Sequence, residues 1–322
     1  MTEPRSYHGQ PVLKEPVWTW EIPLYFYTGG MAGSSAGLAY LAGLRGNNQL
    51  ARRAWALAMA GIGLSPAFLI SDLGRPARVM NMLRMFKPTS PMSVGSWILA
   101  VSGGATTLAA ANAWTGRFAR SAELARPAAA LFGLPLSTYT AALVSNTAVP
   151  VWHESRRMLP FVFGSGAALS AGAGAVAITP REHAAPARRV ALVAAAFELV
   201  SKELMERRLE GHGEPYKQGQ ASRFGQLGRS LITAGAALLA AKGQSSRPAA
   251  ITAGGLLSAG ALSARWSVFR AGFQGAADPR YVVAPQRERV DRQQTAGGAR
   301  SSSAVQGPER QLATPATSLP AQ

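Results

Sequence analysis

The sequence predicts an all-α integral membrane protein of about eight transmembrane helices, and three observations predict it. Charged residues make up only 15% of the 322 and fall in short clusters between long uncharged runs. Four of those runs reach the roughly 20 apolar residues that a helix needs to cross a bilayer. Within the runs the apolar residues show almost none of the one-sided periodicity of a soluble amphipathic helix.

Residues 22–44 carry no charge over 23 positions, 88–116 none over 29, 127–152 none over 26 and 158–180 none over 23. Each is long enough to span. Residues 54–71 and 248–264 are uncharged for 18 and 17 positions, and they span if flanking Arg side chains snorkel to the headgroups. Residues 190–205 are read as a further span despite Glu198, Lys202 and Glu203, and 227–241 as a short one beside Arg229. Residues 1–20 form a polar N-terminal tail, 21–272 the transmembrane helical domain, and 273–322 a polar, basic C-terminal tail, largely disordered from about Arg292 onward. The first 20 residues lack the basic n-region and apolar core of a cleavable signal, so the first span is expected to act as an uncleaved anchor.

The chain has no cysteine. That excludes disulfides, thiolate catalysis and cysteine-ligated iron–sulfur clusters. The net charge of +17 is spread over every loop, which suits membrane lipid headgroups rather than nucleic acid. With eight spans, Lys and Arg divide 22 to 11 between the two sides, but 8 to 11 once the long loop and the tail are set aside. The charge balance therefore does not choose a side. His8, His183 and His212 fall in tails or loops and His153 at the end of a span. No pair is placed to hold a haem between helices, and no His and carboxylate cluster has metal-ligand spacing.

Gly29, Gly33 and Gly37 recur every fourth residue on the first span, a stripe that lets another helix approach closely. Tyr139, Asn146 and His153 are seven residues apart each time and would share one stripe of the fourth span. That stripe reads either as interhelical hydrogen bonding or as a route for a polar ligand or proton. Asp72, with Arg75 and Arg78 close behind, reads either as an ion-paired anchor or as a proton-exchanging acid tuned by the arginines. Glu198 and Lys202, one turn apart, read as a helix-surface ion pair, with a proton relay as the alternative. Tyr7, Trp18, Trp20, Tyr25, Phe26 and Tyr27 crowd around the start of the first span. They form an interfacial aromatic belt or a mouth for a flat lipophilic ring, with Glu21 as the nearby acid.

Several blocks together resemble one family. They are Trp18-x-Trp20-x-Ile22-x-x-Tyr25-x-x-x-Gly29-Gly30, then Asp72-Leu73-Gly74-Arg75-Pro76-x-Arg78 with Asn81-Met82, then Ser90-Pro91-Met92-Ser93-x-Gly95-Ser96-Trp97. Tyr139-Thr140, Val149-Pro150-Val151-Trp152-His153-Glu154 and Arg265-Trp266, Ala271-Gly272 and Asp278-Pro279 follow. In order and spacing, from about Val17 to Tyr281, they resemble the NrfD/PsrC-type polysulfide reductase membrane subunits. The resemblance implies two four-helix bundles in the cell (inner, cytoplasmic) membrane. It also implies a subunit without haem, iron–sulfur cluster or metal of its own. Such a subunit passes electrons between a diffusible quinone, menaquinone or ubiquinone, and a four-cluster ferredoxin-like iron–sulfur subunit, with a molybdopterin-containing catalytic subunit beyond. It places Tyr139 at the quinone, with Trp18, Trp20, Glu21, Tyr25 and Asn146 as further candidates. Asp72, Arg75, Arg78, His153 and Glu198 are the proton-handling candidates. Two other classes compete: a proton or solute channel using Asp72 and Glu198, and a purely structural anchor for an iron–sulfur partner.

Overall fold

The computed structural model describes residues 13–75, 77–209, 213–279 and 281. Tyr7, His8, Pro76, His212 and residues 282–322 lie outside the described residues, as does the side chain of Arg78. The described chain is helical throughout, with no strand. The helices are α1 (Glu21–Leu44), α2 (Asn48–Asp72), α3 (Arg78–Arg84), α4 (Pro91–Thr115), α5 (Ala119–Ser145), α6 (Pro150–Glu154), α7 (Leu159–Ile178), α8 (Ala185–Arg208), α9 (Glu214–Lys217), α10 (Gly219–Lys242) and α11 (Arg247–Ala277). Four of them, α2, α4, α5 and α7, are long and apolar enough to cross a membrane. The helix α11 runs five residues into the stretch expected to be tail.

Local chemistry sets the helix ends. The Asn47 side chain accepts from Leu50 N at the start of α2, and Ser246 accepts from Ala249 N at the start of α11. Ser90 caps α4 with Pro91 at its first position, and Gly116 closes the same helix at φ 68°, a left-handed conformation that favours glycine. Many serines and threonines inside the helices return hydroxyls to carbonyls four residues back, as Thr28 does to Leu24 and Ser170 to Gly166. That satisfies them without water, while buried Ser35, Ser102 and Thr106 have no partner among the described residues.

Successive long helices run antiparallel and pack as two rings of four. In the first, α1 packs on α2 and α5, and α4 joins those two; in the second, α7 packs on α8 and α11, and α10 closes against α8 and α11. The rings meet along α7, which also packs on α1, α5 and α2. One face of the protein holds the start of α1, the end of α2, α3, α6 and the end of α11. The opposite face holds the short turns between α1 and α2, α4 and α5, α7 and α8, and α10 and α11.

The glycine stripe of α1 is used at one position. A Cβ on Gly33 would lie 2.3 Å from the Gly133 carbonyl oxygen, and one on Gly133 would lie 2.4 Å from the Gly33 carbonyl oxygen. Two backbones touch there, and Ser137 of α5 reaches Ser34 of α1 at 3.0 Å beside the crossing. Gly29 has only ordinary contact with Ser65, and Gly37 has nothing within 4 Å. Gly33→Val should therefore force α1 from α5 and lose about 2 kcal/mol of stability. Gly37→Val should stay within about 0.5 kcal/mol. Equilibrium unfolding in mixed detergent micelles, run on both variants, checks the contrast.

Candidate functional site

Residues of several family-like blocks, from Trp18 to Gly272 in the sequence, come together on one face. Trp18 stacks on Trp152 with ring centroids 5.5 Å apart. Trp152, buried, donates its indole N–H to the Val268 carbonyl at 2.8 Å and occupies the space where a side chain on Gly272 would stand. Phe273 meets the same indole edge-on at 6.4 Å. The segment before α1 is thus pinned to α6 and α11 by aromatic surface.

Just inside, the backbone N–H and hydroxyl of Thr19 lie 3.0 and 2.9 Å from Asp72 Oδ1. The Thr19 hydroxyl also reaches Glu21, and Ser71 donates to the other Glu21 oxygen at 3.2 Å. Two carboxylates, one from each end of the α1–α2 pair, therefore share one small network. Of the two arginines expected beside Asp72, only the Arg75 side chain lies within the described residues. Arg75 is exposed and makes no ion pair among the described residues.

One turn into α1, Tyr25 is fully buried, and its hydroxyl has no hydrogen-bond partner among the described residues. Its ring meets that of Tyr139 edge-on at 6.4 Å. Tyr139, on α5, lies so close over Gly95 of α4 that a Cβ there would stand 2.1 Å from its ring. Only glycine leaves room for it. One residue along α4, Ser96 lines an apolar cavity of about 270 Å³ with Pro66, Leu69, Met82 and Leu99, on the α2–α3–α4 flank. Asn81, Ser90 and Ser93 line a second of about 210 Å³ beside it.

The sequence-predicted residues divide accordingly. Trp18, Glu21, Tyr25, Tyr139 and Asp72 come to one end of the first ring. Trp20 is 56% exposed and stands apart from the buried aromatics. The stripe of Tyr139, Asn146 and His153 does not form. The fourth uncharged run is not one helix, because α5 stops at Ser145 and α6 begins at Pro150, whose ring cannot continue a hydrogen-bonded helix. Asn146 is the exposed cap residue, and exposed His153 turns back to place Nδ1 3.2 Å from the Ser145 carbonyl.

A second polar centre lies in the other ring. Glu198 is not on a helix surface: it is 1% exposed, with Oε2 accepting from Ser165 at 2.8 Å and Oε1 unpartnered among the described residues. Lys202 is also buried, and its ion pair at 4.0 Å is with Glu206 rather than Glu198. Arg229 bridges Glu206 and Glu203 at 3.6 and 3.2 Å, and Arg207 ends the series on Glu203 at 2.8 Å. Facing Glu198 is Arg265 of α11, 2% exposed, which donates to the Val162 and Phe163 carbonyls at 3.1 and 2.7 Å and lies 4.3 Å over the Phe163 ring. Arg265 stood in a sequence block but was not singled out as a site residue. The signal that could have found it is an arginine directly after the uncharged, glycine-rich run 248–264 and still within the family-like blocks.

Apolar helices in antiparallel rings, with polar groups collected at one end and along one internal seam, define a multi-pass α-helical membrane protein. The chain belongs to the NrfD-type polysulfide reductase family, whose model matches residues 6–277. No curated protein matches the chain.

Proposed function

We propose that the chain is the quinone-interacting integral membrane subunit of an oxidoreductase complex. In this reading α1, α2, α4, α5, α7, α8, α10 and α11 all cross the cell (inner, cytoplasmic) membrane. Electrons pass between menaquinone or ubiquinone and a four-cluster iron–sulfur subunit, with a molybdopterin-containing catalytic subunit beyond. The quinone supplies the redox chemistry. What the chain supplies is a dry seat for the ring and groups to orient it.

The observation that carries the reading is the Tyr25 phenol, buried without a partner against Tyr139. An orphaned buried hydroxyl costs stability unless something accepts from it, and a quinone carbonyl is such an acceptor. Tyr139, packed against Gly95, would donate to the same ring. Pro66, Leu69, Met82 and Leu99 offer an apolar approach for a prenyl tail. Glu21 and Asp72, joined through Thr19, would hold a proton at the mouth.

Tyr139→Phe in the purified complex should lower quinone-linked turnover by up to about tenfold, the worth of one hydrogen bond, while artificial-dye activity stays unchanged. Unchanged quinone kinetics would remove Tyr139 from the site. A structural anchor alone is separated by quinone binding to the anchor–partner pair, which it would lack.

The series of charges from buried Glu198 and Lys202 through Glu206 and Glu203 to exposed Arg207 favours one second reading, a proton route through the second ring. The isolated chain in liposomes should then pass protons, and Glu198→Gln should abolish the flux. Tight liposomes exclude this reading and leave the first untouched.

A further inference from the structure

At the face opposite Thr19, a cavity of about 480 Å³ opens where the four helices of the first ring end. Tyr40 of α1, Asn48, Arg52 and Trp55 of α2, Asn112 of α4 and Arg126 of α5 line it. Both cations are held in place. The Arg52 guanidinium lies 4.7 Å over the Trp114 ring, and an Arg126 N–H donates to Asn112 Oδ1. Asn112 is itself buried, and its own N–H donates to the Arg117 carbonyl at 2.7 Å, so its amide is committed to fixing Arg126.

Neither arginine pairs with a carboxylate among the described residues. Two fixed guanidiniums without counter-ions, beside the N-terminus of the 25-residue α2 at Asn48, make a site for a phosphate-type anion. The surrounding charge agrees. Residues 45–53, 117–126, 181–189 and 242–247, all on this face, hold eleven Lys and Arg against two acids, Glu123 and Glu182.

We infer that this pocket binds the phosphodiester headgroup of an anionic phospholipid. The lipid source, rather than a free anion, follows from what surrounds the pocket. Leu44 in its lining and Trp114 under Arg52 stand 66% and 48% exposed, apolar surface set at the headgroup level. Toward the bilayer centre, exposed Met59 of α2 and Leu108 of α4 offer acyl chains an apolar track. The inference rests on the membrane reading but on none of the quinone-site residues, which lie at the other face.

The test uses the full chain in nanodiscs of phosphatidylcholine, with and without phosphatidylglycerol, read by thermal midpoint and by lipid retained in native mass spectra. Phosphatidylglycerol should raise the wild-type midpoint and be retained. The double variant R52Q/R126Q should bind it about tenfold more weakly, while Arg53→Gln, one residue away and outside the pocket, should bind as wild type. Trp114→Leu frees only Arg52 and should cost about threefold; it serves if the double variant does not fold. The inference is overturned if R52Q/R126Q or Trp114→Leu keeps full affinity, or if Arg53→Gln weakens binding as much. It is equally overturned if inorganic phosphate in pure phosphatidylcholine gives the same midpoint shift.

Discussion

Arg265→Met should cost about 4 kcal/mol of stability, because it strands a buried carboxylate. Arg265 and Glu198 face each other across Gly166: a Cβ placed there would stand 2.5 Å from Arg265 Nη2 and 2.8 Å from Glu198 Oε2. Without the guanidinium, Glu198 keeps the Ser165 hydroxyl at 2.8 Å and the charge of Lys202 one turn on, with Oε1 already unpartnered among the described residues. Two carbonyls of α7 and the face of Phe163 lose their partner as well. Methionine fills much of the same volume, so a cavity does not explain the loss. The double variant Arg265→Met with Glu198→Gln should recover most of it, since the carboxylate that Arg265 faces is then neutral. Equilibrium unfolding of the wild type, both single variants and the double variant completes the cycle. If the double variant is as unstable as Arg265→Met, the charges are not coupled and Arg265 acts through its carbonyl contacts alone.

Why this centre escaped the sequence is a matter of what covers α8. Charges at 188, 189, 198, 202 and 203 give that helix the look of a solvated face. Its exposure depends on α7, α10 and α11, which the sequence of α8 does not specify. Glycines on the neighbours make the room: Gly166 beside Arg265 and Glu198, and Gly225, whose Cβ would lie 3.2 Å from Lys202 Nζ. The uncharged runs, by contrast, placed α1, α2, α4 and α7 to within a few residues, because an absence of charge is a local property. They failed at α5 for the same reason. Residues 146–149 are as uncharged as residues 127–145 of the helix before them, and Pro150 marks the break. For the site, the aromatic crowd at Trp18 and Tyr25 was legible. The glycines that seat its partners, Gly95 against Tyr139 and Gly272 against Trp152, do not declare that role in the sequence. Their meaning depends on which helices meet.

Trp152→Ala should cost about 4 kcal/mol, the upper part of the range for emptying a core aromatic position. The indole is 1% exposed, its N–H is spent on Val268, and Gly272 lies under its six-membered ring. Membrane lipid cannot refill the space, since Trp18 and Phe273 close it from two sides. The loss should reach the site as well as the fold. Trp18 packs on this ring, and the next residue, Thr19, ties Asp72 to Glu21. Releasing Trp18 should loosen that network and expose residues 13–20 to protease while α1 stays folded. Two further variants separate the contributions. Trp152→Phe keeps a ring under Trp18 but gives up the N–H bond, and should cost about 1.5 kcal/mol. Gly272→Ala keeps the indole but drives it from its seat, and should cost about 2 kcal/mol with the same loosening of residues 13–20. If Trp152→Ala destabilises the fold while cleavage of that segment stays at the wild-type rate, the Trp18–Trp152 stack is not what holds the mouth closed, and the Thr19–Asp72 bonds alone must do so.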